Sequence, residues 1–278
     1  MKTSDIFADL GEFQQYSDGM IADTSLEELL PSIRTISHDI ISIITADVYI
    51  AIRQGDDEEA LELLKTAIAS GASEKYQIFA TTKKNGSEAS MYKYQHEEMK
   101  AHHAESFWTA MDRLLDWLDD NKDVGSWKES SEYKQRQELP IRNAAEFDYY
   151  YGIGKSAFFY HKVLFLIRQI WAQDIHPALP ADPSDKIMEL AKQALCYQVM
   201  ARAVMQFDIT ELPRSIHFDN SHEFSKDSGV QQRTSLYNQL MAKVNTLLAS
   251  IERLRNAGNN TAGMSNGQKE ENKYYSML

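Results

Sequence analysis

The chain repeats itself at a nearly fixed spacing, and this narrows the possible folds more than any other feature. Ile40 to Tyr49 lies over Ile167 to His176 at an offset of 127, which sets Asp47 over Asp174. Leu61 to Ile68 lies over Met188 to Leu195 at the same offset. Phe107, Met111, Leu114 and Leu118 lie over Tyr237, Met241, Val244 and Leu248 at an offset of 130. A Glu-Phe pair, Glu12-Phe13 and Glu146-Phe147, opens each half with looser spacing. The correspondence is one of apolar pattern rather than identity. Three helical segments in the same order and at almost the same spacing predict a duplicated unit.

The expected fold is all-α, two tandem copies of a three-helix unit with an extended C-terminal tail. Six prolines and 12 glycines are few for 278 residues, so strong helix breakers are sparse. In the first unit, 1–121, a helix is predicted over 25–53, with Ser25 and Glu28 as a capping box and Pro31 as a break or a later start. Gly55-Asp56-Asp57 ends it and caps a second helix over 58–82. A third runs over 88–121. Residues 122–143 form a linker with a short helix over 130–137 that packs on both units. The second unit, 144–255, repeats the plan over 154–175, 185–207 and 230–255, with Ser184 capping its second helix. Residues 256–278 read as a flexible arm. Its Asn/Gly-rich start resembles a linker, and Tyr274-Tyr275-Ser276-Met277-Leu278 gives it an aromatic, apolar end suited to docking.

Partner-binding residues are expected in two places. One is the tail, at Tyr274, Tyr275, Met277 and Leu278. The other is the heptad seam of the last helix, where Tyr237, Leu240, Val244, Leu247, Ile251 and Leu254 alternate by three and four. The same seam also fits packing within the chain.

The formal net charge of −12 argues against binding a phosphate backbone as the main task. An acidic wall still suits DNA as passing cargo, which like charge keeps from sticking. The single cysteine, Cys196, lies in an apolar helical stretch, which fits a reducing compartment and a buried thiol. No secretion signal or plain membrane span is expected. In the most apolar run, 156–171, His161, Lys162, Arg168 and Gln169 interrupt the hydrophobic residues.

Candidate chemistry is thin. His96, Glu97, Glu98, His102, His103 and Glu105 form a metal-like cluster, and Glu98 and His102 share a helical face. The order is not His-Glu-x-x-His, and the second unit has no matching ligands near 231–235. The cluster reads as a solvated helix face of polar His and Glu, the spacing being common on exposed helices. Gly152-Ile153-Gly154-Lys155-Ser156 has Asp148 where a phosphate loop needs its first glycine, so it reads as a hinge and helix start. The Tyr149-Tyr150-Tyr151 run lacks the basic flanks of a base-stacking platform and reads as packing. No catalytic residue, metal ligand or cofactor is assigned.

The stretch Trp127 to Lys134, then Ile141 to Asp148, together with the Ala-Asp-Val-Tyr ending at Tyr49, is similar to an uncharacterised protein family of Bacteroides phages and prophages. Within tailed phages the helical unit resembles the head–tail connector, or adaptor, proteins. That resemblance implies a homo-oligomeric ring beneath the portal, around the DNA channel. It implies portal and tail or other neck proteins as partners, no membrane, and residence in the virion after assembly in host cytoplasm. Carrying the unit twice departs from the simple adaptor pattern. Two other readings stay open: a helical metal-dependent enzyme using the His96–Glu105 cluster, and a cellular helical adaptor.

Overall fold

A computed structural model describes residues 6–17, 24–84, 93–121, 124–208, 211–213, 215–216 and 226–265. Every regular element among them is helical. The chain divides into two compact units, Met1–Ala144 with Lys155–Lys162, and Ala145–Gly154 with Val163–Leu278. The first unit thus takes in two stretches of chain, and so does the second. The linker region belongs to the first unit.

The first unit contains α1 (Leu10–Gln15), α2 (Leu26–Ile44), α3 (Ala46–Gln54), α4 (Glu58–Lys84), α5 (Lys93–Asp120), a 3-10 turn (Trp127–Glu129) and α6 (Ser131–Gln137). Ser25 caps α2 by accepting the Glu28 N–H at 3.4 Å, while the Glu28 carboxylate accepts from Tyr76 Oη and ties α2 to α4. The helix runs unbroken across Pro31. Leu29, Ile33, Ile36, Ile40 and Ile44 recur every three or four residues and are all buried. Each is worth about 1.5–3 kcal/mol of burial. Gly71 of α4 lets this stripe come close, since a Cβ there would lie 2.9 Å from Ile36 Cδ1 and 3.0 Å from Phe107 Cδ2.

The helix expected over 25–53 is in fact two helices. Thr45 stands between them at φ 73° and ψ 159°, a region that L side chains rarely occupy, and α2 and α3 meet at a bend of 111°. The bend lets both ends of the segment reach one core. Past it, Val48, Tyr49 and Ile52 are buried as well. Apolar periodicity continues through Thr45, so the pattern alone does not reveal the break. As expected, Asp57 caps α4, with Ala60 N–H donating to its Oδ1 at 3.0 Å.

The second unit contains α7 (Ala144–Tyr150), the later part of α8 (Ala157–Ile170), a π-helical turn (Trp171–Ile175), a 3-10 turn (His176–Ala178), α9 (Asp185–Gln206) and α10 (Lys226–Ser265). Ser184 occupies the N-cap of α9, but its hydroxyl makes no capping bond. Helix α10 starts four residues before Val230 and runs ten residues beyond Arg255, so the expected linker is helical through Ser265. Residues 274–278, with the expected partner-binding Tyr274, Tyr275, Met277 and Leu278, lie outside the described residues.

The heptad seam is filled from within its own unit. Leu240, Val244, Leu247 and Ile251 are buried, Tyr237 is half-buried, and α10 packs along α9. This corrects the assignment of Tyr237, Leu240 and Val244 to a partner helix: α9 occupies that seam. Among the described residues no single helix is long and apolar enough to cross a membrane.

Candidate functional site

The polar chemistry of the first unit is concentrated on one face of α5. Glu105, Trp108, Asp112, Asp116 and Asp119 follow one another at spacings of three and four, which puts them in a single row. Each carboxylate in the row holds part of the segment that follows. Glu105 accepts from Ser156 Oγ at 2.6 Å and from the Ala157 N–H at 2.7 Å, while Ser156 Oγ accepts the Phe159 N–H at 3.1 Å. Together they close off the otherwise unpaired N–H groups at the start of α8. Gly154 and Lys155, at φ 67° and 55°, turn the chain into that cap, as the helix-start reading of Gly152 to Ser156 expects.

Asp112 Oδ1 lies 2.5 Å from His161 Nε2, with Trp108 stacked on the imidazole at 4.1 Å between ring centres. His161 and Asp112 are both nearly enclosed. Asp116 and Asp119 grip the guanidinium of Arg136, through Nη2 at 2.5 Å and Nε at 2.9 Å. Asp119 also accepts from Trp127 Nε1 at 3.0 Å. Burial works against the charge of Arg136, but the hydrogen bond and charge of Asp119 and the charge of Asp116 outweigh it and raise its pKa. Burial pushes the Asp116 carboxyl above its ordinary value; Arg136 opposes the shift, and Asp112, Asp119 and Asp120 add to it. Sequence reading missed Arg136, Asp112 and His161. The three- and four-residue row of acids and Trp108 on α5 was the available signal, but an acidic helix face is ordinarily solvated.

The sequence-predicted cluster on α5 is divided in use. Glu105 is engaged at the α8 cap. His103 is buried, and its ring lies 6.0 Å from that of His102. The side chains of His96 and Glu97 lie outside the described residues. Among the described residues no three His, Cys, Asp or Glu side chains converge as metal ligands. On the outer side of the α4–α5 pair a groove of about 810 Å3 is lined by Glu59, Glu62, Glu105, Asp116 and Asp120, with Arg113 and Trp117. Its charge favours cations.

The second unit uses its polar groups in the same manner. Asp174, in the π-helical turn, accepts from Gln198 Nε2 at 2.6 Å and from Arg202 Nη2 at 2.7 Å, pinning the turn to α9. Lys192 pairs with Glu146 at 2.7 Å, and Tyr150 Oη donates to Glu189 at 3.0 Å. Burial first, and the Glu189 contact second, hold the Tyr150 phenol above its ordinary pKa. Tyr151 packs edge-on against Tyr197, whereas Tyr149 is 79% exposed. Cys196 is fully buried, and loss of solvent pushes its thiol well above the usual range.

Several internal features of the two units correspond. In the first unit Lys65 pairs with Glu12 at 2.6 Å; in the second, Lys192, 127 residues on, pairs with Glu146. Both glutamates precede a buried phenylalanine, Phe13 and Phe147, on a short helix. Helices α4 and α9 begin 127 residues apart. The break after Ile44 corresponds to the π-helical turn that starts at Trp171, again 127 residues later.

No curated protein and no solved structure matches this chain. One family model does match, over residues 80–137 and 158–258, more than half of the length. The matched segments include the α5 row, Arg136 and His161, as well as α9 and most of α10. The chain therefore belongs to the family of unknown function DUF6712.

Proposed function

We propose that the chain is a structural virion protein of a tailed phage: a head–tail connector subunit, built by duplication of a helical module, that forms a homo-oligomeric ring joining portal to tail around the DNA channel. The observation that carries this reading is how the side chains are used. Glu105, Asp112, Asp119 and Asp174, the groups best suited to chemistry, hold one helix or turn to another. Meanwhile Ile50, Tyr149, Phe165, Met205 and Val230 stand exposed on the surface. Polar groups engaged in holding the fold, with apolar groups left outside, suit a protein that works through contacts.

The net charge of −12 supports a channel wall past which DNA slides, and the paired Glu–Lys bridges support the duplication. In this reading the chain needs no cofactor and performs no catalytic step. It is made in host cytoplasm and resides in the neck of the particle. The test is co-expression with the portal protein of a phage that encodes the chain. The expected result is a complex that co-sediments at the size of a ring on the portal. A chain that remains monomeric and does not bind the portal would refute the reading.

A further inference from the structure

Three of the six large hydrophobic side chains most exposed among the described residues lie in the region where α9 ends and α10 begins. Phe165 is 52% exposed, Met205 47% and Val230 61%. Phe165 meets the half-buried Phe207 edge-on, with ring centres 6.4 Å apart. Arg233 fixes the geometry of the place: its Nη1 donates to the carbonyls of Val204 and Phe207, both at 2.7 Å, and so holds the end of α9 to α10. Val230 stands one turn before Arg233 on that side of α10. The Phe165–Phe207 ring pair, with exposed Met205 two residues before Phe207 and exposed Val230 one turn before Arg233, brings apolar chemistry suited to an aromatic peptide to this end of the unit.

The chain contains such a peptide, Tyr274-Tyr275-Ser276-Met277-Leu278, and α10, on which Val230 stands, runs to Ser265 before it. From Val230 to Ser265 the helix rises about 52 Å, at about 1.5 Å per residue. Tyr274 is nine residues beyond Ser265 and Leu278 thirteen. Fully extended back along the helix, those lengths reach about 31 Å and about 45 Å, at about 3.3–3.6 Å per residue. The aromatic pair thus falls about 17–21 Å short of Val230 on its own copy, by the same per-residue lengths. We propose that residues Tyr274–Leu278 of one copy dock on the patch formed by Phe165, Met205, Phe207 and Val230 of a second copy, linking neighbours in the ring. This contact rests on the ring reading above.

The test uses the full chain and cysteine cross-linking. Cys196 is fully buried and stays out of disulfide exchange. Chains carrying Val230→Cys are mixed with chains carrying Tyr275→Cys under mild oxidation. The control replaces Val230→Cys with Ile50→Cys, an exposed site in the first unit. The expected result is a disulfide-linked dimer of the first mixture that forms at least about tenfold faster than in the control, because docking raises the local concentration of the two thiols. A chain carrying both substitutions should give linked multimers rather than an internally closed monomer. Equal rates in mixture and control would overturn the contact. So would internal closure, or a patch shielded by the chain's own loop or by the portal alone. Cross-linking by a chain that stays out of particles would refute the neck reading and leave this contact standing. A chain present in particles without cross-linking would do the reverse.

Discussion

Arg136 ties together several pieces of the first unit. It joins two carboxylates of α5 to α6 and reaches the Arg142 carbonyl at 3.4 Å. Arg136→Met leaves Asp119 enclosed without its cation and should cost about 3 kcal/mol, read as a fall in the urea midpoint. Asp116 behaves differently because it is half-exposed and its carboxyl is raised. A carboxyl whose folded pKa lies above its unfolded value favours the fold when protonated. Its contribution is complete below about 3.8 and is lost as pH rises through the folded value. Asp116→Asn should therefore leave stability at pH 7 unchanged or improved, and should flatten the pH dependence in that window. A large loss at pH 7 would show that the Asp116–Arg136 pair outweighs burial. Gly125 is constrained by space as well as by φ 55°: a Cβ would lie 2.7 Å from the backbone of Val48 and of Asp47. Gly125→Ala should cost about 2 kcal/mol or more, and thermal unfolding measures it.

At the scale of elements, helix existence was legible in the sequence and helix continuity was not. The capping of α2 and α4 by Ser25 and Asp57 was read directly, since a polar cap before a periodic apolar run has a local cause. The break at Thr45 has a tertiary cause. Ile44 and Val48 keep the helical spacing, and only the demand that both helices bury into one core turns the chain. Thr45→Gly removes a side chain from a conformation that disfavours it and should stabilise the unit by about 1 kcal/mol. A destabilised variant would mean that the Thr45 side chain itself contributes there. The α5 row was illegible for a related reason. Glu105, Asp112 and Asp119 have the spacing of any solvated helix face, and their partners lie eight to 52 residues away in the chain. The spacing of the α10 seam marks it as a seam but does not name its occupant, so the assignment of Tyr237, Leu240 and Val244 to a partner gives way to packing on α9. The two Glu–Lys bridges offer an element-level test of correspondence between the units. Double-mutant cycles at Glu12–Lys65 and Glu146–Lys192 should give similar couplings of about 0.5–1 kcal/mol, since all four side chains are partly exposed.

For the whole molecule, two helical units each hold their own turns and caps with buried or half-buried polar groups, and exposed apolar side chains remain at their surfaces. We propose that such an arrangement does its work by association, in the neck of a tailed phage. Electron microscopy of whole particles from cells expressing the chain tests this directly. The expected result is a closed ring of this fold between portal and tail, with its axis on the DNA channel. Intact particles that lack the chain, or that carry it anywhere other than the neck, would contradict it.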